Sequence, residues 1–167
     1  KGHFKKLGCK EARLVPGKKF PLVYAEYDAG AEKTVIVYMM YDTQPAEDVQ
    51  LWKVPPFEGK IVAMTPFRKV LMARGATNTK GPLVAFINEM EAMRDADELP
   101  VNLIFVAEGE EEEGSISMPN FVREYAGKLK KADSVFFPAS CQDENGLAEP
   151  AFGSEGIIYI ELETSGK

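Results

Sequence analysis

The chain has 167 residues, of which 45% are hydrophobic and 28% are charged; this ordinary globular composition excludes a disordered tail, a collagen-like fibre or a disulfide-dense mini-protein. Its 20 basic and 26 acidic residues give a net charge of −6, and such a surface repels the phosphate backbone of nucleic acids. The apolar runs are too short to span a bilayer and no signal peptide is visible, so we expect no membrane partner.

Strand signals recur along the chain as short apolar or β-branched runs. In chain order, the expected strands are 22–27, 34–40, 61–64, 69–74, 101–107, 133–137 and 157–163. Residues 34–40 form a continuous β-branched and apolar run, which is typical of a strand buried on both faces of a sheet. Residues 61–64 and 69–74 are expected to form a hairpin, which follows a Pro-rich irregular segment at 43–59.

Helix signals fall between these strands. Residues 1–20 indicate the end of a helix followed by a basic turn, and a helix is expected over 119–131. The clearest helix is 82–96, because one face carries apolar residues at helical spacing. These are Leu83, Phe86, Ile87, Met90 and Met93. The alternation of strands and helices predicts an α/β layered sheet that is partly parallel.

Four loops are expected to converge on one cleft, because ligand sites in open α/β sheets gather at the carboxyl ends of the strands. The loops are 40–42, 74–81, 108–114 and 138–142. The third carries five glutamates between 108 and 113. They fit a solvated turn that opens a helix. They also fit a site, because crowded carboxylates raise one another's pKa and favour a cation or a proton among them.

The small numbers of cysteine and histidine residues limit the kinds of catalytic or metal site that the chain can form. The two cysteines, Cys9 and Cys141, predict free thiols in a reducing cytoplasm. The single histidine, His3, excludes a histidine-rich zinc site. It also excludes a Ser-His-Asp triad unless His3 itself supplies the base.

Four motifs in these loops are specific in their order and context. They read YMMYDTQP at 38–45 followed by LWKVPPFEG at 51–59, RGATNTKGPL at 74–83, FVAEGEEEEGS at 105–115, and more weakly GSEGIIYIELE at 153–163. In this order they resemble the M20 family of metallopeptidases and amidohydrolases, which includes carnosinase, aminoacylase and glutamate carboxypeptidase relatives. The resemblance implies the layered α/β/α sheet of a zinc-peptidase-like catalytic domain. It also implies that 1–167 is the first part of that domain, ending where a lid or dimerisation domain would begin.

The resemblance also implies a catalytic centre. In the family, two metal ions, usually zinc, activate a water that attacks an amide or peptide carbonyl. By resemblance, Glu111 matches the general base and Glu112 matches a metal ligand. Asp42 matches the aspartate that orients the first histidine ligand.

The sequence departs from the family at three ligand positions. Met40 stands at the histidine ligand, Asn78 at the bridging aspartate and Ala139 at a further aspartate, with Asp143 following as a candidate replacement ligand. A neutral amide such as that of Asn78 cannot offset the repulsion between two cations. The thioether of Met40 is a poor ligand for zinc or magnesium.

Three interpretations stay open. The first is a cytoplasmic hydrolase of peptide or amide bonds, with one hard cation such as Mn²⁺ or Mg²⁺ in place of a zinc pair. Its substrate would be a small peptide or N-acyl amino acid, a lid domain would allow homo-oligomers, and the isolated fragment would be inactive. The second is a catalytically degenerate relative that acts as a binding or interaction module. The third is altered chemistry, such as deamination, on the same scaffold.

Overall fold

The structure is a computed structural model that describes residues 1–139, 143, 145–149, 151–153, 156, 158 and 160–166. The strands in these residues are β1 (Glu11–Val15), β2 (Leu22–Tyr27), β3 (Thr34–Met40), β4 (Lys60–Met64), β5 (Phe67–Met72), β6 (Asn102–Glu108) and β7 (Ser134–Phe136). The helices are α1 (Gly2–Leu7), α2 (Gly81–Asp95), α3 (Met118–Glu124) and α4 (Ala126–Leu129). No helix among these residues is both long and apolar enough to cross a membrane.

Five strands form one mixed sheet in the order β1-β2-β6-β3-β7. Strand β3 runs parallel to both β6 and β7, whereas β2 is antiparallel to β1 and to β6. The register places Met40 opposite Glu108, so β3 and β6 end at the same edge of the sheet. The loops that follow these two strands therefore leave the sheet side by side.

Helices cover both faces of this sheet. On one face, α1 and α2 bury Phe4, Leu7, Ile87 and Met90 against β2, β3 and β6. On the other face, Phe121 of α3 packs with residues of β1, β2 and β6. Strand β3 lies between β6 and β7, and this position inside the sheet fits its β-branched and apolar run. The three layers confirm the predicted α/β/α fold class.

Most predicted elements are present, and the differences have local causes. Strand β1 lies within residues 1–20, where its sequence EARLV has a single buried position and therefore no strong strand signal. The helix predicted over 119–131 is divided at Tyr125 into α3 and α4. The strand predicted over 157–163 lies partly outside the described residues, and its described residues form no strand.

Strands β4 and β5 form a separate two-stranded sheet that matches the predicted hairpin. It follows the irregular segment 43–59, which contains a short helical turn at Val49–Leu51. A second short turn, Ala76–Lys80, joins this hairpin to α2, and a third, Glu111–Glu113, follows β6. The last two turns carry the candidate site residues.

Candidate active site

The site lies where β3 and β6 end. The backbone N–H of Tyr41 donates to the carbonyl of Glu108 at 2.8 Å, which continues the ladder for one residue past β3. The loop that follows the neighbouring strand β6 makes a tight turn at Glu111–Glu113. Asp42 is thereby brought beside this acidic turn. Three of the four predicted loops meet here, through Asp42, Asn78 and Glu112.

Asp42 holds the acidic turn in place. Its Oδ2 accepts the backbone N–H of Glu112 at 2.9 Å. This bond satisfies a donor at the start of the short helical turn, where backbone N–H groups lack an intrahelical partner. Its Oδ1 is buried and has no hydrogen-bond partner among the described residues. Asp42 therefore acts on the backbone of the Glu111–Glu112 pair.

The Glu112 carboxylate is held by two side-chain amides. Its Oε2 accepts from Nε2 of Gln44 at 2.9 Å, and its Oε1 accepts from Nδ2 of Asn78 at 3.3 Å. Gln44 also reaches the backbone carbonyl of Glu112 at 3.3 Å. Both carboxylate oxygens thus have neutral donors. Sequence reasoning gave Gln44 no role, although its place two residues after Asp42 on the same loop was a usable signal.

The backbone before α2 places Asn78. Gly75 has φ +77°, and a Cβ there would lie 2.2 Å from Cγ2 of Thr43, so only glycine fits. The carbonyl of Gly75 accepts the backbone N–H of Lys80 at 2.8 Å and the hydroxyl of Thr79 at 2.9 Å. These bonds close the Ala76–Lys80 turn and direct Asn78 towards Glu112.

Glu111 lies beside three other carboxylates. Burial raises the pKa of Glu111 above its ordinary value, and the negative charges of Glu112, Asp42 and Glu108 raise it further. A carboxyl group in such surroundings takes up a proton more readily than an exposed glutamate does. Glu111 is accordingly suited to accept a proton during a reaction.

The two glutamates before this pair are structural. Glu108 is 1% exposed, and its Oε1 accepts from the hydroxyls of Tyr38 at 2.5 Å and Ser115 at 2.9 Å. Glu110 is 2% exposed, and its Oε1 accepts the backbone N–H groups of Lys19 at 2.7 Å and Phe20 at 3.0 Å. Burial alone would raise the pKa of Glu110, but these backbone donors outweigh it and lower the pKa to about 2.

Glu110 therefore anchors the turn between β1 and β2 to the acidic loop. The backbone N–H of Lys18 adds to this contact by donating to Oγ of Ser117 at 2.7 Å, and the Lys19 ammonium pairs with Glu113. The basic turn and the acidic run were both visible in the sequence. Their contact was not predicted, because they are about ninety residues apart along the chain.

The other candidates lie elsewhere. The carboxylate of Asp143 accepts the backbone N–H groups of Asn145 at 2.9 Å and Leu147 at 2.8 Å, within its own turn. It lines a cavity against Trp52 and the β4–β5 hairpin. Ala139 lines a different, mostly apolar cavity beside α2. Cys141 lies outside the described residues, as do 140 and 142 of the fourth loop.

Two further residues are accounted for by packing. Met40 is buried at the end of β3 and belongs to the core. Cys9 is also buried, and this burial raises the pKa of its thiol to about 11, so the thiolate is disfavoured at neutral pH. His3 is exposed on α1, remote in sequence from every motif of the site.

The donor set does not fit a pair of zinc ions. Within the described residues, no group of three or more histidine, cysteine, aspartate or glutamate side chains is arranged to hold a metal ion. Both oxygens of Glu112 face amide N–H donors, whereas a metal ion would need them as free lone pairs. The thioether of Met40 is a soft ligand that suits Cu(I) and is a poor ligand for zinc.

Comparison with known proteins places this chain in a family. Residues 36–153 match the sequence profile described as Peptidase family M20/M25/M40. The Cys-Gly metallodipeptidase DUG1 of Candida albicans is 41% identical over 140 residues, which are 81% of this chain and 28% of that protein. The human Beta-Ala-His dipeptidase is 37% identical over 146 residues, which are 86% of this chain and 28% of that protein.

A solved structure agrees with these matches. The M20 family metallo-carboxypeptidase Sso-CP2 from Sulfolobus solfataricus superposes with a TM-score of 0.76 and 37% sequence identity, covering 87% of this chain and 32% of that one. The chain thus spans less than a third of the length of the curated relatives described above. The profile match, the identities and the shared fold together show that this chain belongs to the peptidase family M20/M25/M40.

Proposed function

We propose that this chain is part of a hydrolase that cleaves a peptide or amide bond in a small substrate, and that it supplies the group that transfers the proton. The observation that carries the proposal is the Glu111–Glu112 pair, which lies at the shared edge of β3 and β6. Asp42, which follows the neighbouring strand β3, holds the turn of this pair through the Glu112 backbone. Catalytic groups of α/β proteins gather at this edge of the sheet.

In this proposal Glu111 is the general base. It takes a proton from the attacking water and afterwards delivers it to the leaving amine, which requires a carboxyl group that titrates above the usual range. Burial of Glu111, together with the negative charges of the neighbouring carboxylates, raises its pKa in this way. Asp42 is a positioning residue, since it acts on the backbone that carries Glu111 and not on the substrate.

The substrate class follows from the relatives. Those reported above are a Cys-Gly dipeptidase and a β-Ala-His dipeptidase, so a dipeptide or a similar small N-acyl amino acid is the proposed substrate. In the whole protein, 1–167 would be the first part of the catalytic domain, with a lid domain following and serving in homo-oligomers. The metal-ligand roles of Glu112 and Asp143 stay predictions, and no step proposed here passes through a metal ion.

Hydrolysis of a dipeptide panel tests this proposal. Cys-Gly, β-Ala-His and N-acetyl amino acids would be offered to the purified whole protein, since the isolated fragment is expected to be inactive, with chelator and with added Zn²⁺ or Mn²⁺. Loss of a general base costs about 10²- to 10⁴-fold in rate, so Glu111→Gln should lower kcat by that factor. The matched control is Glu113→Gln, because Glu113 lies in the same turn but pairs with Lys19 at the surface.

Two outcomes would count against the proposal. If Glu111→Gln keeps the wild-type rate, Glu111 is not the base. If the wild-type protein turns over no member of the panel under any metal condition, the result supports a second candidate function. In that function the protein is a catalytically silent relative that binds peptides at this site. The observation that favours this second function is the pair of amides on Glu112.

A further inference from the structure

We infer that the amides of Gln44 and Asn78 hold the Glu112 carboxylate in place of a metal ion, so that this cleft takes up neither Zn²⁺ nor Mn²⁺ tightly. The inference concerns what neutralises Glu112, and it holds whether the cleft hydrolyses a substrate or only binds one. It starts from the four hydrogen bonds that Glu112 makes. Its backbone N–H donates to Asp42, its backbone carbonyl accepts from Gln44, and its carboxylate accepts from Gln44 and Asn78.

The two carboxylate bonds use both oxygens of Glu112. Gln44 donates to Oε2 at 2.9 Å and Asn78 donates to Oε1 at 3.3 Å. A divalent ion binding there would meet two N–H donors pointing at the same lone pairs it requires. It would have to share each oxygen with an amide donor or displace the two amides, and either costs part of what coordination of Glu112 gains.

Around Glu112, the described residues supply no complete set of metal ligands. Asp42 already uses Oδ2 on the Glu112 backbone. Met40 offers only a buried thioether, which is soft and suits neither ion. Asp143 accepts hydrogen bonds from its own turn and lines a cavity against the β4–β5 hairpin. Among the described residues, no group of three or more histidine, cysteine, aspartate or glutamate side chains is therefore arranged with Glu112 to hold an ion.

Asn78 is the residue on which the arrangement depends. With an amide at this position, a hydrogen bond links it to Glu112. With a carboxylate at the same position, two negative charges would face each other at about the same separation and would repel each other unless a cation lay between them. Replacement of the amide nitrogen of Asn78 by a carboxylate oxygen should therefore convert a site that binds no metal ion tightly into one that requires a cation.

The experiment compares wild-type protein with Asn78→Asp, both without an affinity tag. Each is titrated with Zn²⁺ and with Mn²⁺ in a calorimeter, and each is unfolded thermally in chelator and in added metal. For the wild type we expect no saturable binding and the same Tm in both conditions. For Asn78→Asp we expect a lower Tm in chelator and recovery of Tm in Mn²⁺, because a ligand that binds only the folded state stabilises it.

Two results would overturn the inference. The first is saturable binding of one or two ions by the wild type that Glu112→Gln abolishes and Glu113→Gln leaves intact. The second is an Asn78→Asp protein whose Tm in chelator equals that of the wild type, since the amide would then contribute nothing to holding Glu112. Neither readout depends on catalysis, so failure of the proposed hydrolase leaves this test unchanged.

Discussion

At the scale of single residues, the acidic run separates into two kinds of glutamate. Glu108 and Glu110 point into the protein and accept hydrogen bonds, whereas Glu111 and Glu112 are half-buried in the turn that Asp42 holds. Composition could predict that such a run perturbs its own titration. It could not predict which members are buried, because that depends on how the short turn at Glu111–Glu113 leaves β6.

Glu110 gives a prediction on stability at acid pH. Its pKa in the folded protein is about 2, below its ordinary value of 4.5, because backbone N–H groups stabilise the charged form. A lowered folded-state pKa gives stability that is present above pH 4.5 and is lost as the pH falls towards 2. We expect Glu110→Gln to lower the free energy of unfolding at pH 7 and to differ less from the wild type near pH 2.

The measurement is denaturant unfolding at a series of pH values. Glu32→Gln is the matched control, because Glu32 is exposed in the segment between β2 and β3. Its unfolding free energy should follow that of the wild type at every pH. If the loss of unfolding free energy in Glu110→Gln stays constant from pH 7 to pH 2, the negative charge of Glu110 is not what stabilises the turn.

At the scale of elements, α1 illustrates how tertiary contacts fix a weak segment. A helix of six residues is too short to be stable by itself in water. It is held by Phe4, whose ring stacks on that of Phe105 in β6 with centroids 4.6 Å apart, and by the buried Leu7. The helix thus depends on a strand about one hundred residues further along the chain.

Phe4→Ala should therefore weaken the packing of α1 on the sheet and lower the free energy of unfolding. Truncation of a buried phenylalanine costs about 3–5 kcal/mol in the free energy of unfolding, because it removes apolar burial and leaves a cavity. Phe57→Ala is the control, since Phe57 is 69% exposed and its truncation should cost less than about 0.5 kcal/mol. Chemical unfolding monitored by circular dichroism measures both, and equal costs would contradict the packing role of Phe4.

How much the sequence could predict differs between elements for physical reasons. Strand β3 and helix α2 were predictable because a run of apolar residues and a helical apolar stripe each report burial directly. Strand β1 was not, because an edge strand with one buried residue carries little pattern. The cleft residues Asp42 and Glu112 were found through motifs, whereas the Gln44 and Asn78 contacts with Glu112 needed the folded geometry.

At the scale of the whole molecule, the sheet ends in an apolar edge. Strand β7 is the last strand in the order and, in the part of the chain that the structure describes, pairs only with β3. Val135 and Phe136 on this strand are 66% and 48% exposed. Open strand edges with apolar side chains are templates for pairing with another chain. The 167-residue chain is therefore expected to self-associate through β7.

Val135→Lys tests this expectation, because a lysine on an edge strand opposes edge-to-edge pairing. The control is Val122→Lys, which places the same charge on an exposed position of helix α3, away from the edge. Sedimentation velocity over a concentration series should show association for the wild type and for Val122→Lys, and a shift towards monomer for Val135→Lys. If both lysine variants shift equally, net charge and not the β7 edge governs the association.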